Sequence, residues 1–260
     1  MKRIMIEVAY DGTSYCGWQI QPNGMTVEEK LNQVLSDFLG EEIRVMGASR
    51  TDSGVHAYGN VAVFDTESGI PPEKMCYALN GKLPEDIRIR SSRQVDRNFH
   101  PRYCLSIKTY EYHIQNCRLP IPTERFYTQL VTMPLDLNLM RKGAAYLVGK
   151  HDFASFCASG TSAKTTIRTV KAIDIESRPY APFYEDSGKD DHKIIIRVIG
   201  EGFLYNMVRI IAGTLIKVGL GVYPPEHVKE ILEARDRNLA GETAKARGLF
   251  LKKIEYPDLS

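Results

Sequence analysis

Asp52 lies in the segment Gly47-Ala48-Ser49-Arg50-Thr51-Asp52-Ser53-Gly54-Val55-His56-Ala57, two residues after a guanidinium and among turn-forming residues. An ionised carboxylate serves as general base, metal ligand, electrostatic stabiliser or nucleophile, and its neighbours decide which. His56 is the other metal-ligating type in the segment, a poor donor set for a hard cation. Asp-Ser-Gly is also a good turn sequence, so a second reading is an aspartate that caps its own backbone. A third is an aspartic protease, because Asp52-Ser53-Gly54 is matched by Asp186-Ser187-Gly188. An active motif of that type follows an apolar strand, whereas Arg50-Thr51 and Tyr184-Glu185 precede these copies. The second copy, followed by Lys189-Asp190-Asp191, reads as a hydrated hairpin loop.

Arg209 is the other conspicuous charge, set among Met207, Val208, Ile210, Ile211, Leu215 and Ile216. A buried guanidinium needs a carboxylate to offset its desolvation, and Asp52 is a candidate partner. The competing reading is that Arg209 extends along its aliphatic stem to solvent.

The elements that must position these groups follow from periodicity. Ile4, Ile6 and Val8 alternate as in a first strand. A helix is expected from Thr26, where Glu29 completes a capping box, Val27, Leu31, Val34, Leu35 and Phe38 form a stripe, and Gly40 ends it. Strands are expected over 43–48 and 60–64, with the Asp52 turn between them, then a short helix at Pro71-Pro72-Glu73 and strands over 86–95 and 105–115. In the latter, Tyr110, Tyr112 and Ile114 share a face. Residues 118–123, with Pro120 and Pro122, read as a link to a second half. That half has helices over 137–148, 205–218 and after Pro225, and strands over 165–176, 192–199 and 249–254. The pattern is α+β in two halves.

Composition sets the outer bounds. The chain has 260 residues, 43% hydrophobic and 25% charged, ordinary values for a globular protein able to build its own core. Its net charge of +2 is small, but basic residues cluster over 82–108, and Lys164, Arg168 and Lys171 lie in a stretch with no acid. Such clusters suit a polyanion or are simply solvated faces. The five cysteines form no Cys-x-x-Cys pair and are odd in number, so they read as small buried apolar residues. The start lacks the sustained apolar core of a signal peptide, which gives a cytoplasmic expectation, and the run from Phe203 to Ile216 is too short to cross a bilayer.

In order along the chain stand Tyr10-Asp11-Gly12-Thr13, Gly17-Trp18-Gln19, Thr26-Val27, Arg50-Thr51-Asp52 with Gly54-Val55-His56-Ala57, and Phe99-His100 with Arg102. Lys108-Thr109-Tyr110-Glu111-Tyr112, Gly149, His151-Asp152-Phe153, Gly202 through Arg209, and Gly248-Leu249 follow. On these residues the chain resembles the TruA family of pseudouridine synthases, which convert particular uridines of RNA to their C-linked isomer. The resemblance implies an α+β pseudouridine synthase fold, a mixed and mostly antiparallel sheet flanked by helices, with two similar halves around a central basic cleft. It implies an N-terminal catalytic subdomain over 1–105 carrying Asp52, and a C-terminal subdomain over 106–260 that completes the site and makes a dimer contact.

The same resemblance makes Asp52 the nucleophile, paired with Arg209, and places Tyr110 on the target base. Leu249 becomes an apolar wall, and Arg50 fills the space left by the flipped nucleotide. It implies no metal and no cofactor, a tRNA substrate modified at positions 38–40 of the anticodon stem-loop, a homodimer and no membrane. Ser49, Ser53, Pro101, Lys245 and Glu28 depart from the usual family residues (Gly, Ala, Ala, Pro and Gln) without removing a catalytic group. The alternatives are a paralogue acting on another tRNA or rRNA uridine, and a non-catalytic RNA-binding protein.

Overall fold

Alternation in the first strand has its expected outcome: Ile4, Ile6 and Val8 of β1 (Lys2–Tyr10) are fully buried. Each such side chain contributes about 1.5–3 kcal/mol through the apolar surface it removes from water. The computed structural model describes residues 1–161, 163–180 and 191–259, and the Asp186-Ser187-Gly188 hairpin lies outside them. Two compact units are present, residues 1–106 with 251–260, and residues 107–250.

In the first unit, α1 (Val27–Leu39) begins at Thr26, whose hydroxyl accepts from the Glu29 amide at 3.3 Å, and stops at Gly40 with φ 69°. The expected strand over 43–48 shrinks to β2 (Met46–Gly47). The cause is local, because the Ile43 and Val45 amides donate to Ser36 Oγ and Asn32 Oδ1 of α1 instead of a ladder. β3 (His56–Thr66) starts at once after the Asp52 turn, four residues earlier than the periodicity indicated. A tight turn over Pro72–Lys74 leads into α2 (Met75–Asn80), and β4 (Ile87–Val95) follows. The strands run antiparallel in the order β4, β1, β3, and β2 also pairs with β3. Arg88, Arg90 and Arg93 of the basic 82–108 stretch therefore lie on the edge strand β4, where charge discourages pairing with another chain.

The second unit opens with β5 (Ile107–Asn116), so the division falls after Ser106 rather than in the proline-containing link. That link forms a turn at Pro122–Glu124 inside the unit and leads to β6 (Gln129–Val131), which pairs parallel to β5. After α3 (Leu137–Ala145) come β7 (Gly149–Asp152), β8 (Ile167–Pro179), β9 (His192–Gly200), α4 (Met207–Gly219) and α5 (His227–Ala234). Strands β5, β9, β8 and β7 are neighbours in that order, all antiparallel. The final strand β10 (Leu249–Glu255) starts in this unit, but residues from 251 onward group with the first, whereas the sequence reading kept the whole C-terminus in the second half.

β5 is buried on both faces. Tyr110, Tyr112 and Ile114 line one, and Glu111, His113 and Gln115 the other. The charge of Glu111 is met by Arg197 directly opposite on β9, whose Nε donates to Glu111 Oε1 at 3.1 Å while Nη1 donates to Glu176 Oε1 at 2.7 Å. Burial lowers the pKa of His113, whose ring stacks on Phe250 at 4.4 Å. Among the described residues no helix is long and apolar enough to cross a membrane. All five cysteines are free; Cys76, Cys117 and Cys157 are buried, while Cys16 and Cys104 are only partly so.

Candidate active site

The Asp52 turn is fastened by main-chain groups. The Asp52 carbonyl accepts from the Val55 amide at 3.1 Å, and Gly54 takes the positive φ of 75° that such a turn favours in glycine. Tyr15 O receives the Ser53 hydroxyl at 3.3 Å and the Gly54 amide at 3.4 Å, while Thr51 O receives the Trp18 amide at 3.0 Å. Thr51 Oγ1 is hydrogen-bonded to Tyr10 OH at 2.7 Å, and Asn60 Nδ2 donates to Ser49 O at 3.0 Å.

The 11–18 loop can press this close only because it carries glycines. A Cβ on Gly17 (φ 86°) would lie 2.6 Å from Thr51 O, and one on Gly12 2.0 Å from Val55 O. His56, 1% exposed, caps the arrangement. Its Nδ1 lies 3.1 Å from both the Gly12 amide and Asp11 Oδ1. The amide always carries its proton, so Nδ1 is the acceptor in that bond. The outcome is alternating exposure: Ser49 and Thr51 are buried, Asp52 is half-buried and Arg50 is exposed.

Arg102 braces the start of the segment by donating from Nη2 to Gly47 O at 3.0 Å. Burial, reinforced by the Arg50 guanidinium nearby, lowers its pKa. Two arginines therefore face one neighbourhood of the Asp52 loop. Gly47 is itself a clearance position, since a Cβ there would lie 2.3 Å from the indole nitrogen of the fully buried Trp18.

Tyr110, Arg209 and Leu249 belong to the second unit. Tyr110, opposite Val198, is buried with its ring edge-on to Phe203 at 5.2 Å and 86°. Arg209 stands in the first turn of α4, after Asn206 at φ 58°. Its Nη1 donates to Asn206 Oδ1 at 2.6 Å and its Nε to Ala244 O at 2.7 Å, and the Ala244 amide returns a bond to Arg209 O at 3.2 Å. Segment 241–244 reaches α4 through two glycines: a Cβ on Gly213 would meet Glu242 O at 1.8 Å, and one on Gly241 would meet the Thr214 amide nitrogen at 2.6 Å.

Tyr112 holds the next residues. Its hydroxyl shares one proton between Gln129 Oε1 at 2.6 Å and Lys245 O at 2.8 Å, and the Lys245 amide donates to the same Gln129 oxygen at 2.9 Å. Burial keeps the phenol protonated, raising its pKa against the opposing pull of Arg209 and Arg247. Gly248 passes close over the Tyr112 ring, and the buried Leu249 follows as the first residue of β10. Arg209 and Leu249 are thus tied to opposite ends of one segment. The sequence reading gave roles to Tyr110, Arg209 and Leu249 but none to Tyr112, Gln129 or Phe203. Tyr112 had a signal in its motif, whereas Gln129 lies in a short strand that periodicity did not find. Among the described residues, no cluster of three or more His, Cys, Asp or Glu is placed to hold a metal ion.

These features describe an α+β scaffold with a carboxylate on a rigid interstrand turn, beside exposed positive charge. A family model described as tRNA pseudouridine synthase matches residues 6–104 and 144–257, covering Arg50, Asp52, Arg209 and Leu249 but not Tyr110. The chain belongs to the tRNA pseudouridine synthase family. It is 46% identical over 256 residues to the tRNA pseudouridine synthase A of Thermoanaerobacter sp. strain X514, covering 98% of this chain and 100% of that protein. The same coverage holds for the protein of that name from Acetivibrio thermocellus, at 43%, and for tRNA pseudouridine synthase A 2 of Clostridium perfringens, at 44%.

Proposed function

We propose that this protein isomerises uridine to pseudouridine in tRNA, at the anticodon stem-loop, with Asp52 as nucleophile. In that reaction Asp52 adds to the uracil ring or to the ribose C1′ and the N1–C1′ bond breaks. The ring then turns so that C5 bonds C1′, the bond to Asp52 breaks, and the C5 proton is lost while N1 gains one. Substrate and product are isomers, so no redox partner or group donor enters the balance.

The observation that carries the reading is the Asp52 turn, where main-chain bonds and glycine clearances fix the backbone of a carboxylate flanked by an exposed arginine. Such preorganisation is what a nucleophile needs, because a misplaced reacting group loses much of its rate. The other roles rest on the family resemblance. Arg209 keeps Asp52 ionised, Tyr110 stacks on the target base and Leu249 closes an apolar wall. Arg50 occupies the place of the extruded nucleotide, offsetting a flipping cost of roughly a few kcal/mol. A cytoplasmic homodimer that needs no cofactor completes the proposal.

The test is release of tritium from C5-labelled uridine in unmodified tRNA by the purified protein, without added cofactor. Wild type is expected to release label and Asp52→Ala to release none; equal release by both refutes the assigned nucleophile. Mapping the product nucleotide separates the anticodon arm from another tRNA or rRNA position.

A further inference from the structure

Tyr103 is 80% exposed, among the most exposed of the large hydrophobic side chains, yet the turn that carries it is among the better fastened in the first unit. Arg3 Nη1 donates to Phe99 O at 3.0 Å, and Arg3 is itself held by two bonds to Asp65. Phe99 packs edge-on to Tyr256 at 5.0 Å, and Tyr256 OH donates to Pro101 O at 2.6 Å. The Tyr103 and Cys104 amides both return to His100 O at 3.1 Å, and Arg102 anchors to Gly47 O. The Tyr103 ring lies flat on the His100 imidazole, centroids 4.2 Å apart and planes 27° apart.

His100 Nδ1 accepts from the Arg102 amide at 3.2 Å, and burial with the Arg102 charge lowers its pKa. The imidazole is therefore a neutral, fixed backing for one face of the tyrosine. The other face is open. Arg102 adds a guanidinium whose buried Nε has no acceptor among the described residues, with Arg50 in the same neighbourhood. An exposed aromatic plane on a rigid turn, backed by a second ring and beside the Arg102 guanidinium, has the chemistry of a base-and-phosphate contact. Solvent alone gives no reason to hold it so firmly, and the neighbouring positive charge favours a polyanion over an apolar protein face.

We propose that Tyr103, stacked on His100, is a platform for an unpaired base of the bound RNA, and that Arg102 takes an adjacent phosphate. This rests on the reading of the protein as an RNA-modifying enzyme and adds a recognition subsite to it. Tyr103 is a substrate-positioning residue that takes no part in bond-making, so its loss is expected in KM and Kd rather than in kcat.

The experiment measures binding and tritium release on an unmodified tRNA transcript for wild type, Tyr103→Phe, Tyr103→Leu and Tyr103→Ala. All are checked by thermal unfolding and sedimentation. Tyr103→Ala is expected to weaken binding roughly tenfold, as loss of one base stack does. kcat and the salt slope of the affinity should be unchanged, because no phosphate contact is removed. Tyr103→Phe should bind like wild type and Tyr103→Leu like the alanine variant. Transcripts carrying single abasic nucleotides should contain one position at which wild type loses that same factor and Tyr103→Ala loses nothing more.

Equal binding by wild type and Tyr103→Ala overturns the proposal, as does rescue by leucine or a scan without a non-additive position. A variant whose only change is oligomeric state also overturns it and makes the patch a contact between copies. If wild type modifies tRNA normally while Tyr103→Ala is indistinguishable from it, only the platform falls. If wild type neither binds nor modifies tRNA, the functional reading falls with it.

Discussion

The Asp52 turn of the first unit is closed at Thr51, Asp52 and Gly54 by main chain on main chain, whereas the segment between Arg209 and Leu249 in the second is fixed largely by side chains reaching main-chain groups. In the first case, glycines at 12 and 17 let one loop lie directly on another. In the second, the Arg209 guanidinium and the Tyr112 hydroxyl hold Ala244 and Lys245 by their carbonyls. A backbone-built site survives loss of most side chains but not the gain of a methyl group. A site built by side chains has the opposite weakness. Both contain glycine clearances, so the contrast lies in which interaction sets the final position.

The largest expected effect concerns the one side chain that the backbone-built turn presents. Asp52→Asn keeps shape and volume while removing the charge, and activity is expected to fall by at least about 10⁴-fold, as for other nucleophile removals. Any loss of stability should be no larger than that of one ion pair, because the main-chain bonds that close the turn are left in place. Single-turnover tritium release and a thermal melt check both. A large loss of stability would show that the carboxylate holds the turn together, and the contrast between the units would collapse.

Next in size is Gly17→Ala. The new methyl would lie 2.6 Å from Thr51 O at a φ of 86°, so strain and displacement act together. A cost of roughly 2–4 kcal/mol is expected from positive-φ alanine plus overpacking, with a fall in kcat as the Asp52 turn shifts. Gly40→Ala is the control, because its φ is 69° but nothing lies within 4 Å of the added atom. It should pay about 1 kcal/mol in backbone preference alone and leave kcat unchanged. Equal loss of kcat in both variants would mean that clearance over Thr51 is irrelevant.

In the second unit Tyr112→Phe is the matching side-chain deletion. It removes the one donor shared by Gln129 Oε1 and Lys245 O and is expected to cost about 1–3 kcal/mol. Turnover should fall several-fold as Leu249 loosens, far less than for Asp52→Asn. Denaturant unfolding and steady-state kinetics measure the two effects; unchanged turnover would separate the phenol from the placement of Leu249.

Much of this was legible in the sequence where one local signal sufficed. The capping box at Thr26 and Glu29 and the stop at Gly40 mark α1 because both depend on residues within one turn of the helix ends. Asp52, Arg50, Tyr110, Arg209 and Leu249 are named from ordered motifs, and their roles are proposals. The segment over 43–48 misled because its alternation is that of a strand, while its amides are claimed by Asn32 and Ser36, residues that look like ordinary polar positions of a helix. The second face of β5 was equally opaque. Alternation puts Glu111 and Gln115 on the face opposite Tyr110, but that a charge can be buried there depends on Arg197 being placed opposite by strand register, which no local pattern encodes. The last ten residues carry no sign that they belong with the first unit, since that association exists only in the folded contacts.

The smallest effect concerns the side-chain bracing of the Tyr103 turn, and it centres on Asp65. Arg3 donates Nε and Nη2 to the two Asp65 oxygens at 2.9 and 2.8 Å while its Nη1 holds Phe99 O, so this pair supports the turn bearing His100 and Tyr103. The bonds from Arg3 hold the Asp65 carboxyl below the usual carboxylate range. A folded pKa below the unfolded one means that the unfolded chain binds the proton first as pH falls. The stabilisation is therefore complete above the unfolded pKa of about 3.9 and is lost as pH drops through the folded value. Asp65→Asn is expected to cost about 1 kcal/mol at neutral pH, and the difference from wild type should close below about pH 4. Denaturant unfolding across that pH range measures it, and a difference that persists into strong acid would assign the cost to packing rather than charge. If RNA affinity falls with Asp65→Asn while kcat holds, the Tyr103 turn depends on this side-chain bracing to present its RNA contact.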